Sequence, residues 1–304
     1  MSAPHVSAPL VVLGPPPEGR GGYAMALRVR DTLGGPGART LNYEHFAPRD
    51  LQRARAIWTF TAHGIRVAHS YAPEVHRVWQ WIAETPSYDL GIASIADAIV
   101  VTSERAAARV PAHLRGRVHV APHGVEPEFA PASAPPAGVP HVLSVGSGPA
   151  KGGALLARVA QSTGTRTLIL GRDLGPIVYE LAGTYSHIQP RWAPHAAMPQ
   201  AYRSASVFAF PSSHSEAHAG ALLEAMASGL PIVASDTPDH RELLGDAAIL
   251  LPARGRHAHA RWCEALTALM ADAPRRAALG AAALARVDGR TWEAWAAAAA
   301  KALP

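Results

Sequence analysis

Cysteine is nearly absent from this chain. Cys263 stands alone, so no internal disulfide can form and an apolar core has to hold the fold. Lysine is almost as scarce: Lys151 and Lys301 are the only two among 28 basic residues, the rest being arginine. No stretch approaches the roughly 20 apolar residues of a membrane span. The start, MSAPHVSAPLVVLG, has no basic region followed by a long apolar core. The expectation is a cytoplasmic protein in a reducing compartment, without integral membrane association. Net charge is +5 and the pI is near 9.7, yet no run of five or six basic residues occurs and the arginines are scattered, so nucleic acid is not an expected partner. Sixteen histidines form no His-x₃-His or Cys-x₂-Cys set, and His257 and His259 fall in a polar loop; no metal and no cofactor are expected.

What is present suits a globular protein of two domains, 304 residues with 48% hydrophobic and 17% charged. Pro127 to Pro140, PEFAPASAPPAGVP, lacks apolar periodicity and has the composition of an extended, fairly stiff linker. The expected division is residues 1–138, residues 139–287 and a terminal helical segment, residues 288–304.

In the first domain, Leu10 to Gly14 is a short apolar strand, followed by PPPEGRGG and an amphipathic helix from about Tyr23 to Leu33. Gly21 and Gly22 would let a ligand approach that helix start closely. Ala56 to Thr61 is rich in β-formers and ends at Ala62-His63-Gly64. A histidine at the carboxyl end of a parallel strand, as His63 is, lies where α/β proteins place ligands. Val75, Val78, Trp79 and Ile82 recur at helical spacing and are read as core or as the wall of a binding site. Ala96 to Ser103 is another strand.

The second domain opens with the strand His141 to Val145, then Gly146-Ser-Gly-Pro-Ala-Lys-Gly-Gly153 and a helix from about Ala154 to Gln161. Lys151 lies near the start of that helix, where a cation is disfavoured unless an anion is present. Its ammonium is therefore a candidate partner for a diphosphate. Thr165 to Gly171 and Ile188 to Trp192 are further strands, and Trp192 is read first as core packing. Ala258 to Met270, Pro274 to Val287 and a segment from Thr291 are helical.

The densest pattern runs from Ser204 to Pro252. An apolar strand closes at Pro211, a polar loop follows, a helix begins near Ala219, Gly229 and Pro231 stop it, and Ile232 to Ala234 is the next strand. Glu216 stands above the helix start, and Glu224 lies roughly 6 Å down the helix at about 1.5 Å of rise per residue. A diphosphate on that N-terminus would meet unpaired N–H groups, with one carboxylate on either side to accept from hydroxyls.

Glu216, seven residues and Glu224, followed by Ala-Met-Ala-Ser-Gly-Leu-Pro-Ile-Val-Ala-Ser, resemble the donor-site motif of glycosyltransferase family 4, the retaining nucleotide-sugar enzymes. Val118 to Glu126 and Ala96 to Ser103 resemble further family segments. The resemblance implies two Rossmann-like α/β domains facing across a cleft, GT-B type, with the last helix crossing back to the first domain. It implies a donor nucleotide sugar and a small-molecule or glycan acceptor. Catalytic roles fall on Glu216 for the donor sugar, Lys151 for the diphosphate and, for the histidine that family members often carry near the sugar, His63, with His69 as the alternative. Nucleotide-sugar contacts fall on Glu224 for the ribose and on Gly22, Ser147, Ala217, His218, Ala219, Gly220 and Trp192. Two departures stand out: Glu216-Ala217-His218-Ala219 replaces Glu-Gly-Phe-Gly, and Ser147 replaces an arginine. They motivate an alternative, a nucleotide-sugar-binding protein with little or no transferase activity. An epimerase or a phosphorylase is disfavoured, since neither an extra catalytic carboxylate nor a cofactor-lysine motif stands out.

Overall fold

A computed structural model describes residues 9–14, 20–35, 37–81, 93–133, 138–214, 216 and 219–304. The chain divides into two compact units, Met1–Gly124 with Arg290–Pro304, and Val125–Gly289.

The first unit runs β1 (Leu10–Gly14), α1 (Arg20–Leu33), β2 (Arg39–Asn42), α2 (Pro48–Gln52), β3 (Ala56–Thr59), α3 (Ala62–Tyr71), β4 (His76–Trp81), β5 (Ala98–Val101), α4 (Glu104–Arg109) and β6 (Val118–Val120). Its strands form one parallel sheet in the order β2-β1-β3-β4-β5-β6. β1, β3 and β5 are buried at every position, as strands covered on both faces must be, which explains their unbroken apolar runs. Val12, Trp58, Val78 and Val100 pack on one face, while Val11, Leu13 and Ile57 meet Leu51 and Ala68 on the other.

Two sequence expectations are corrected here. The helical spacing of Val75, Val78 and Trp79 belongs to a strand end, because successive residues of β4 point to opposite faces: Val78 joins Trp58, whereas Trp79 joins Ile99 and Val101. The spacing of three that suits a helix puts Val75 and Val78 on opposite faces of an extended chain; Ile82 lies outside the described residues. Helix α1 begins at Arg20, so Gly21 and Gly22 fall in its first turn rather than in a loop before it.

The second unit contains β7 (Val142–Val145), α5 (Gly153–Thr163), β8 (Thr167–Leu170), α6 (Pro176–Thr184), β9 (Ile188–Arg191), α7 (Met198–Ser204), β10 (Val207–Phe210), α8 (Gly220–Ala227), β11 (Ile232–Ser235), α9 (Pro238–Leu244), β12 (Ala248–Leu251), α10 (Ala258–Ala271) and α11 (Ala273–Val287). The sheet is again parallel, ordered β12-β11-β10-β7-β8-β9. From the central pair, β7 leads outward to β8 and β9, and β10 leads outward to β11 and β12. The chain thus reverses its winding between β7 and β10, and the loops leaving their carboxyl ends stand where α/β sheets hold ligands.

The proline-rich stretch is not all spacer. Phe129 is buried in the second unit's core, with its ring 5.6 Å from that of Tyr202 and 5.8 Å from that of His195. Burying one such side chain is worth about 1.5–3 kcal/mol, so the segment from Val125 is tied to the second unit, against the expected division at residue 138. The last helix, α12 (Trp292–Ala299), belongs to the first unit and packs on α1 and β6. Thr291 caps it by accepting from Ala294 N at 3.1 Å, and Trp295 meets Trp58 edge-on at 6.1 Å. Gly124 passes so close beneath it that a Cβ would lie 2.4 Å from Trp292 N.

Candidate active site

The loop after β7 is a tight wrap built on glycine. Gly148 (φ 90°) and Gly152 (φ 77°) bracket a single 3₁₀ turn, Pro149–Lys151. Gly152 needs both freedoms a glycine offers: its φ is left-handed, and a Cβ there would lie 2.1 Å from Pro211 O. This close approach presses the β7 loop against the end of β10. Ala150 O accepts from Ser213 N at 2.8 Å and from Ser213 Oγ at 3.2 Å, which fixes the two loops to each other.

Across that seam Lys151 Nζ donates to Glu216 Oε2 in a short ion pair, and the other carboxylate oxygen accepts from Ser212 Oγ at 2.5 Å. The ammonium also stands 5.7 Å from the centroid of the Phe210 ring. His240 packs edge-on against Phe210 at 5.5 Å and is fully buried. Its Nδ1 lies 2.7 Å from Ser235 O, which can only accept, so that nitrogen carries the proton. Burial keeps this imidazole neutral by lowering its pKa.

Helices α5 and α8, which follow the two loops, have no side-chain cap. By contrast α9, one strand further out, is capped by Thr237, which accepts from His240 N. Leu222 N in the first turn of α8 already donates to Ala219 O at 2.9 Å, which leaves the Gly220 and Ala221 N–H groups there, and those that open α5, without a side-chain cap beside the positive ends of two dipoles.

Glu224 lies one turn down α8, half-buried, and accepts from Tyr202 Oη at 2.7 Å; the same hydroxyl is 3.2 Å from Ala221 O. Loss of solvent raises the Glu224 carboxyl to about 7, the Tyr202 hydrogen bond opposes this, and Glu126 adds to it. Burial together with this carboxylate pushes the Tyr202 phenol well above its ordinary value.

The structure brings Lys151 and Glu216 together and sets Ala219 and Gly220 at the start of α8. Ala217 and His218 lie outside the described residues. Ser147 ties the β7 loop to the end of β8 by accepting from Arg172 N at 2.9 Å. Trp192 corrects the packing reading: it is 55% exposed, and the Arg172 guanidinium lies over its ring at 4.9 Å. In the first unit, Gly22 is in the first turn of α1, and His63 is exposed in the first turn of α3, where Thr61 is the cap and the Tyr43 ring lies 5.0 Å away. Ser212, Phe210, Tyr202 and His240 were not singled out from the sequence. Only Ser212 had a signal, its place at the head of the Glu216 loop.

Among the described residues, no three His, Cys, Asp or Glu side chains are grouped to hold a metal ion, and no helix is long and apolar enough to cross a membrane.

Two six-stranded parallel sheets clad in helices, with charged groups gathered at the second sheet's switch point, define an α/β protein of the GT-B type. Residues 140–272, all within the second unit, match the family described as Glycosyl transferases group 1. The D-inositol 3-phosphate glycosyltransferase of Nocardia farcinica is 39% identical over 93 residues, which is 31% of this chain and 20% of that relative's length. Among solved structures, the sucrose-phosphate synthase of Thermosynechococcus elongatus superposes with a TM-score of 0.74 at 17% identity, over 95% of this chain and 96% of that one. HepE of Anabaena, in complex with UDP and glucose, gives a TM-score of 0.74 at 15% identity, over 93% and 95% of the two chains.

Proposed function

We propose that this chain is a retaining glycosyltransferase that moves a sugar from a nucleoside-diphosphate sugar to an acceptor hydroxyl. The observation that carries the reading is the Lys151–Glu216 pair at the switch point, flanked by two uncapped helix starts. The relatives support the same chemistry: the structure of HepE is a complex with UDP and glucose, and the matched curated protein is named as a glycosyltransferase.

In this reading the bond from the anomeric carbon to the diphosphate breaks, the acceptor oxygen takes its place, and the acceptor's proton leaves with the diphosphate. Negative charge grows on the leaving group, and fixed N–H donors with a nearby ammonium are what stabilise it. Lys151 has three N–H donors, so it can hold a diphosphate oxygen and Glu216 together. Glu216, fixed by Ser212, accepts from donor-sugar hydroxyls, and Glu224 accepts from the ribose. Trp192, exposed beside Arg172, offers a face for the base. His63, in the first turn of α3, remains a candidate contact to the sugar. No divalent metal or cofactor is needed.

A thermal-shift screen against UDP-, GDP- and ADP-glucose tests the binding half; a ligand at 100 times its Kd raises stability by about 2.7 kcal/mol. Release of nucleoside diphosphate in the presence of candidate acceptors, with the anomeric configuration of the product, tests the rest. Binding without release under any acceptor would favour the alternative, a nucleotide-sugar-binding protein, for which the Ser147 and Ala217-His218-Ala219 departures speak.

A further inference from the structure

Tyr202 is completely buried, and its hydroxyl lies between two acceptors, Glu224 Oε2 at 2.7 Å and Ala221 O at 3.2 Å. A phenol has one hydrogen. With Glu224 ionised, that hydrogen can serve the carboxylate or the carbonyl but not both. With Glu224 protonated, the count closes: the carboxylic acid donates to Tyr202 Oη, and the phenol donates to Ala221 O. The groups acting on the carboxyl are Tyr202 from α7 and Glu126 from the segment after β6, and the Glu126 charge favours the protonated form.

We infer that Tyr202 and Glu224 form a proton-linked latch, so that binding a nucleotide sugar expels a proton from Glu224. This rests on the proposal that Glu224 receives the ribose. The ribose diol brings two O–H donors, which satisfy a carboxylate and not an acid. As they arrive, Glu224 releases its proton to solvent and the phenol hydrogen turns from Ala221 O to Glu224. Tyr202 acts as a positioning residue, since it is buried behind the carboxylate. Without nucleotide the carboxyl titrates near 7, so the latch works in the neutral range.

Calorimetry with whichever of the three nucleotide sugars raises the melting temperature tests this, from pH 6 to pH 8, in two buffers of different protonation enthalpy. A nucleotide sugar is the right probe because its diphosphate does not titrate there. The parent chain should bind about tenfold more weakly at pH 6 than at pH 8, and should release about half a proton per nucleotide at pH 7. Glu224→Gln, whose amide mimics the acid, should bind with no such pH dependence. Tyr202→Phe should retain the proton release and move the pH at which affinity breaks. Affinity that is flat with pH in the parent, with no proton release, overturns the latch and leaves nucleotide binding standing. A break unchanged in Tyr202→Phe removes Tyr202 from it. If none of the three nucleotide sugars binds at any pH, the latch and the donor-site reading fall together.

Discussion

Lys151 and Glu216 meet as an ion pair although 65 residues separate them. Each stands on the loop leaving one of the two strands between which the sheet reverses its winding, and Gly152 against Pro211 brings the loops into register. The isolated lysine of an arginine-rich chain is thus placed beside the loop glutamate of the family-like motif. A cation at the start of α5 has its anion in the protein itself, which answers the dipole's unfavourable field.

Glu224→Gln should stabilise the chain without nucleotide and weaken its grip on nucleotide. The folded carboxyl is raised from 4.5 to about 7 by burial, so the stability it supports is fully present below about pH 4.5 and lost as pH rises through about 7. That gap corresponds to about 3 kcal/mol. Urea unfolding should show the variant gaining on its parent by up to that amount at pH 8 relative to pH 4.5. Affinity for nucleotide at pH 8 should fall by about 1.5–3 kcal/mol, the range for hydrogen bonds to a charged group. An equal stability difference at both pH values, or unchanged affinity, would falsify the assignment.

Gly152→Ala should cost at least about 2 kcal/mol, since the new Cβ meets Pro211 O at 2.1 Å in a left-handed backbone. Relief of that contact has to part the β7 loop from β10, and with it Lys151 from Glu216. The denaturation midpoint should drop, and turnover should drop further than the midpoint alone explains. A variant as stable and as active as its parent would show that the seam yields freely.

The strands were legible because parallel sheets covered on both faces demand apolar runs, as in Leu10–Gly14 and Val207–Phe210. Lys151 and Glu216 were each visible, one by rarity and one by spacing. Their direct contact was not, because it depends on strand order, which no local pattern encodes. Tyr202 and His240 were hidden for the same reason: a phenol and an imidazole take their meaning from the buried groups they meet. Trp192 went the other way, since β9 is the outermost strand and its end leaves the indole 55% exposed with Arg172 over its ring.

Turnover should persist in EDTA and gain nothing from Mg²⁺ or Mn²⁺. In the proposed reaction the leaving diphosphate would meet an ammonium and two helix starts, and among the described residues no three His, Cys, Asp or Glu side chains are grouped for a cation. Activity lost to chelation and restored by either ion would mean that a metal neutralises the diphosphate instead.

Lys151→Arg keeps the charge and should still impair catalysis. The Lys151 stem runs against Gly146, whose added Cβ would lie 2.8 Å from Lys151 Cγ, and its ammonium stands 5.7 Å from the centroid of the Phe210 ring. A guanidinium is broader, planar and presents its donors in a fixed fork, so it cannot hold the Glu216 oxygen and follow a departing phosphate oxygen as a compact ammonium does. We expect kcat/KM to fall at least about tenfold, which is roughly 1.4 kcal/mol of transition-state stabilisation. The loss should fall on kcat more than on affinity for the nucleoside diphosphate, because the charge that attracts the bound anion is retained. Kinetics within twofold of the parent, in a variant of unchanged melting temperature, would return Lys151 to the role of a structural partner for Glu216.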